Sequence, residues 1–272
     1  MSMSSRGGAA VHVRVVRGAL VTGFADFRAL YTVRSWTLGW MSRVLCQVSF
    51  FALAGRLLAD EEATRFLLIG NAVSIMVLEA SVVVASTAWE RASGTLPLLV
   101  AAPVHPAFVF FGRSLFGVAV GTVSSSVALL ALAPLFGVAL PWPAAVLVVP
   151  LITLVGFACY CFFLVLAGLA LRATHLRNLV SNVAALGLIA FCGVQVPLVF
   201  WPSWIQAVAG FLPLTHGLQA VRLLLDSAGA GQVVAATALE LLIGVGWLVI
   251  AVLTFRGFVE SGRRDGSIEF AD

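Results

Sequence analysis

Six stretches of this 272-residue chain run for about 20 residues or more with almost no charge, and that limits what it can fold into more than any other feature. A hydrocarbon layer about 30 Å thick is crossed by about 20 apolar residues in a helix. Only a helix or a closed barrel satisfies its backbone polar groups there. The runs lie at Leu38–Leu58, Phe66–Ala88, Phe108–Leu140, Ala144–Leu171, Leu179–Phe200 and Val233–Phe255. They are apolar all round instead of alternating, which argues against barrel strands. With 61% hydrophobic and 10% charged residues, the composition is far from that of a soluble domain. The expected fold is an all-α membrane protein with six transmembrane helices. No linker or repeat divides it: residues 1–37 form a tail and an interfacial helix, 38–255 the spans, and 256–272 a second tail.

All 16 basic residues are arginine. With both termini cytoplasmic, Arg6, Arg14, Arg17, Arg28, Arg34, Arg91, Arg172, Arg177, Arg256, Arg263 and Arg264 fall inside and Arg113 close to that side. Only Arg56, Arg65 and Arg222 fall outside, where the first loop is the acidic Asp60-Glu61-Glu62. This satisfies the positive-inside rule and predicts a multi-pass protein of the cell membrane, whose net charge of +4 reflects orientation and not nucleic-acid binding. No apolar core with a cleavage site follows the first arginines, so no removable signal peptide is expected. Cys46, Cys159, Cys161 and Cys192 sit in apolar runs as small hydrophobes, without disulfide or zinc spacing.

Several chemistries lack their residues. A P-loop requires a lysine to reach the phosphates, and there is none. No H-E-x-x-H or G-x-S-x-G motif occurs. His175 and His216 lie on opposite predicted sides, neither set beside a serine nucleophile. The chain is expected to hold no metal, no cofactor and no catalytic residue of its own.

The apolar pattern is broken at 89–106 by WERASGTLPLLVAAPVHP. Ser93 or Thr95 can cap a helix start, Pro97 suits a first turn, and Pro103 and Pro106 stop continuation. Leu96, Leu99 and Val100 give this short cytoplasmic element an apolar side, with Glu90 and Arg91 at its start. Upstream, Leu20, Phe24, Phe27 and Tyr31 share one face of a helix over 18–36 that suits the membrane interface.

The sequence resembles the ABC-2-type exporter permeases, the membrane half of ATP-binding-cassette exporters. The family's E-R-x-x-G-T-L-x-x-L pattern with a following proline reads here Glu90, Arg91, Gly94, Thr95, Leu96, Leu99 and Pro103, with Arg113 beyond it. FLPLTHGLQAVR at 211–222 is similar to the segment before the family's last span and supplies Pro213, His216 and Arg222. Pro97 departs from the pattern, standing where many relatives carry an acid. The resemblance implies that residues 89–103 form a coupling helix seated on a separate ATPase subunit, which binds ATP and Mg. It also implies an elbow helix before the first span, an outer re-entrant hairpin before the last, and a second permease subunit, identical or sibling. The substrate route would follow the dimer interface through spans one, two and five.

Glu79 lies about 13 Å from the cytoplasmic end of its span at 1.5 Å per residue. Arg43 and Arg113 come from the same side, so an intramembrane ion pair or a transport-path contact is expected. Asn178, Asn182 and Gln195 on the fifth span are candidates for interhelix hydrogen bonds or for the substrate path. Trp201, Pro202 and Trp204 suit an outer interface belt. Arg222 and Asp226 stand four apart and can pair, and His216 reads as a structural histidine. The function expected is outward movement of a hydrophobic or amphipathic drug, antibiotic or lipid. The alternatives are a glycan or glycolipid exporter and, from another class, a secondary carrier or intramembrane enzyme. Secondary carriers commonly show repeated halves, which this chain lacks.

Overall fold

The computed structural model describes residues 32–92, 115–170 and 176–265, together with the isolated positions Gly18, Val21, Ala25, Arg28 and Gly112. All of its described regular structure is helical. Helix α1 is Trp36–Leu57, with a π-helical opening at Trp36–Met41. Helix α2 is Glu61–Ala92 and α3 is Phe116–Leu135. A 3-10 turn at Ala144–Leu147 leads into α4, Val148–Ala170. Then come α5 (Arg177–Phe191), α6 (Ser203–Ala209), α7 (Thr215–Leu225) and α8 (Ala230–Asp265).

Five of these helices are long and apolar enough to cross a membrane: α1, α2, α3, α4 with its leading turn, and α8. The expected fifth span is corrected. Instead of running to Phe200, the helix stops at Phe191 after 15 residues, where Gly193 takes φ +79° and Pro197 follows. Fifteen residues rise about 22 Å at 1.5 Å each. Gln195 therefore lies in the turn beyond α5 and not on a span. The expected third span also shrinks at its C-terminal end, where Pro134 and Gly137 at φ +76° end α3.

Helix α2 is the centre of the bundle. It packs against α1, α3, α4 and α5, while α4 in turn supports α8 and α7. Its start is well made: Asp60 Oδ1 accepts from the amides of Glu62 (2.8 Å) and Ala63 (3.2 Å). Glu61 and Glu62 then place negative charge at the positive end of the helix dipole.

Lipid tails give helices no hydrophobic reason to associate, so close backbone approach at small residues does much of the holding. Gly117 and Gly121, four apart on α3, lie against Glu79 and Met76 of α2. A Cβ at Gly117 would stand 3.0 Å from the Glu79 carbonyl, and one at Gly121 2.8 Å from Met76 Sδ. Gly156 of α4 receives the other side of Met76, and Gly244 of α8 lies on the Ala158 backbone. The α1–α2 turn is equally tight, since a Cβ at Gly55 would fall 2.5 Å from Thr64 Cα.

A contrast between glycines checks this packing. Gly55→Ala must displace rigid backbone and is expected to destabilise the detergent-solubilised protein by about 1–3 kcal/mol in thermal unfolding. Gly246 of α8 has nothing near its missing Cβ. Gly246→Ala is expected to be neutral or stabilising by about 0.5–1 kcal/mol.

Candidate functional site: two buried carboxylates and the α6–α7 segment

Two acidic side chains are buried within the described bundle, Glu79 on α2 and Glu240 on α8. An ionised group in hydrocarbon is costly unless partnered, so each is a point where the fold departs from simple apolar packing.

Glu79 is positioned by the glycine contacts of α3 and faces the π-helical start of α1. It lies beside the Trp40 indole, with Arg43 in electrostatic range. Arg43 is stacked on that indole, its Cζ 4.8 Å from the ring centre. Among the described residues neither Glu79 Oε1 nor Trp40 Nε1 has a hydrogen-bond partner. Arg113, the other expected partner, lies outside the described residues.

Glu240 is fully buried, and each of its oxygens accepts a backbone hydrogen bond. Leu214 N donates to Oε1 and Gly217 N to Oε2, both at 2.8 Å. These amides belong to the first turn of α7, where helix geometry leaves N–H groups unpaired. The carboxylate of the last span thus caps a helix of the preceding segment and meets the positive end of its dipole. Glycine is required at 217. A Cβ there would overlap Val155 and stand 3.0 Å from Glu240 Cγ. Leu214 is held at φ +93° by this closure. Thr215 Oγ1 donates to Ala209 O at 2.7 Å, and the His216 ring meets Gly210 O at 3.1 Å, tying α7 back to α6. His216 is thus satisfied inside the hairpin. Pro213 is buried beneath, its carbonyl 3.6 Å from Cys192 Sγ.

The other end of α7 is held by arginines. Arg65, near the start of α2, donates to Leu225 O at 2.7 Å and pairs with Asp226. Arg222 donates to Phe66 O at 3.3 Å and lies 3.7 Å above the Phe66 ring. The close ion pair of Asp226 is with Arg65, while the expected partner Arg222 stays within electrostatic range of it. Gly70 makes room for the Arg222 guanidinium and the Val194 carbonyl.

On α5, Asn178 and Asn182 are exposed together with Leu179, Val183 and Leu186. Ser181 Oγ reaches Ser81 O of α2 at 3.5 Å. Glu90 and Arg91 fall in the last turn of α2, but their side chains lie outside the described residues. So do Gly94, Thr95, Leu96, Leu99, Pro103, His175, most of the expected elbow helix, and the chain ends at 1–17 and 266–272.

Sequence reading missed Glu240, Arg65 and Gly217. The signal for Glu240 was present, a single acid inside the Val233–Phe255 run. Nothing in the sequence paired it with an amide 23 residues earlier. Glu240→Ala leaves two buried N–H groups without acceptors. It is expected to destabilise the protein by about 3 kcal/mol or more, read as earlier thermal unfolding in detergent.

A search of curated proteins gave no significant match. The family model described as ABC-2 type transporter matches residues 26–225, which contain α1 to α7 and both Arg65 and Arg222. The chain belongs to the ABC-2 type transporter family.

Proposed function

We propose that this chain is the permease subunit of an ATP-driven exporter. It works as one of a pair, identical or sibling, with a separate ATPase subunit binding ATP and Mg. The family match carries this reading. The shape of α2 supports it. At 1.5 Å per residue its 32 residues make a rod about 48 Å long. One end meets the outer hairpin through Arg65 and Phe66, and the other leads into the Glu90-to-Pro103 motif. Pressure on a coupling helix at 89–103 would be carried across the bilayer by an enclosed helix that cannot bend freely between its neighbours.

In this reading both termini are cytoplasmic, α5 completes a sixth crossing together with the 192–202 turn, and α6–α7 form the re-entrant outer hairpin. The cargo is hydrophobic or amphipathic, of the drug, antibiotic or lipid kind. The apolar faces that α1 and α5 leave uncovered, with Asn178 and Asn182 among them, suit such a route. Glu79 lines it. Its Oε1, without a hydrogen-bond partner among the described residues, meets cargo or a proton, and Arg43 lies in electrostatic range.

Glu90→Ala is expected to reduce ATP-dependent efflux about tenfold, with insertion and ATPase co-purification unchanged, as for other interactions that position a conformational step. Parent-level efflux by a well-expressed variant would remove Glu90 from coupling. Glu79→Gln is expected to fold and insert normally while efflux falls about tenfold or changes cargo preference. Misfolding rescued by a second change at Arg43 would instead assign Glu79 a structural ion pair.

A further inference from the structure

Helix α7 is a crossbar between two spans, tied to α8 at its start and to α2 at its end. When the two spans move apart, one tie must yield. We infer that the hairpin rides on α8, pivoting at Glu240, and that Arg65 and Arg222 form the latch that lets go of α2. This rests on the exporter reading above, with the hairpin at the outer mouth.

Three observations choose the yielding end. First, burial differs. Glu240 is fully buried, and pulling it from its two amides would leave a carboxyl group and two N–H groups without partners in an apolar interior. Arg65 and Asp226 are 33% and 54% exposed, so water replaces their pairing at little cost. Second, slack differs. Glu240 grips backbone amides directly, whereas the α2 end is held by arginine side chains whose long stems keep contact over a range of positions. Arg222 likewise meets α2 only through its side chain, over the Phe66 ring and by a long bond to Phe66 O at 3.3 Å. Third, packing differs. Helix α7 lies along α8 and α4 and only touches α2. A further bond on the α8 side, Trp247 Nε1 to Phe211 O at 3.1 Å, carries α6 with it.

Arg65 and Arg222 are thus positioning residues of the outer mouth, acting through the hairpin and not on cargo. The decisive experiment joins the latch covalently. R65C and D226C are combined in a Cys46→Ser background and expressed with the ATPase partner. Bridging the two thiols with a short reducible bis-methanethiosulfonate linker, long enough to replace the Arg65 and Asp226 side chains, is expected to slow ATP-driven efflux at least about tenfold, and reductant to restore it. Full efflux by the crosslinked chain would overturn the latch and leave the exporter reading intact. If the parent chain itself shows no ATP-driven efflux, the exporter reading fails and the latch falls with it.

Should the cysteine pair insert poorly, charge reversal decides the same point. R65D alone and D226R alone set like charges together and are expected to raise ATP-independent leak about threefold, with the combined variant returning to the parent level. Equal leak from all four chains would overturn the latch.

Discussion

A carboxylate inside a membrane protein needs hydrogen-bond donors that the surrounding helices have not already used. Within a helix every interior N–H is taken, so backbone donors are found only at a helix start. Glu240 and the first turn of α7 answer each other's need: the buried carboxyl group gains its donors there, and the amides would otherwise be buried unpaired. From this exchange follow Gly217, the strained backbone at Leu214, and the side-chain bonds of Thr215 and His216 back to α6. The P-L-T-H-G segment is therefore a local fold built around a residue on another helix.

The same constraint, applied to apolar packing, sets the centre of the bundle. Helix α2 is enclosed because α3, α4 and α1 each bring a glycine to its surface or its turn. That enclosure fixes where Glu79 stands and makes α2 a stiff member between its two ends. Arg65 and Phe66 at one end and Glu90 at the other then belong to one mechanical element, though 25 residues separate Arg65 from Glu90.

The spans themselves were largely legible in the chain, because hydrocarbon demands long uncharged runs and five of the six helices answer them directly. Where the reading failed, a local signal was outvoted by hydropathy. Gly193 and Pro197 end α5 early, yet Val194, Val196, Leu198 and Val199 kept the run looking continuous. The buried carboxylates divide in the same manner. Glu79 stood out by its depth, but Glu240 has its meaning only beside a helix start that tertiary structure delivers. The Arg222–Asp226 spacing announced an attraction that is present, but the close contact of that carboxylate is with Arg65, which no spacing rule could supply.

The short reach of α5 has a consequence for the lipid around it. A helix of about 22 Å beside hydrocarbon of about 30 Å is a mismatch of several ångströms. Acyl chains next to this flank must compress, or the 192–202 turn with Phe200 and Trp201 must fill the missing depth. In the first case the hydrocarbon thins beside the uncovered face of α5; in the second the irregular turn enters the apolar layer and has to satisfy its backbone polar groups within the protein.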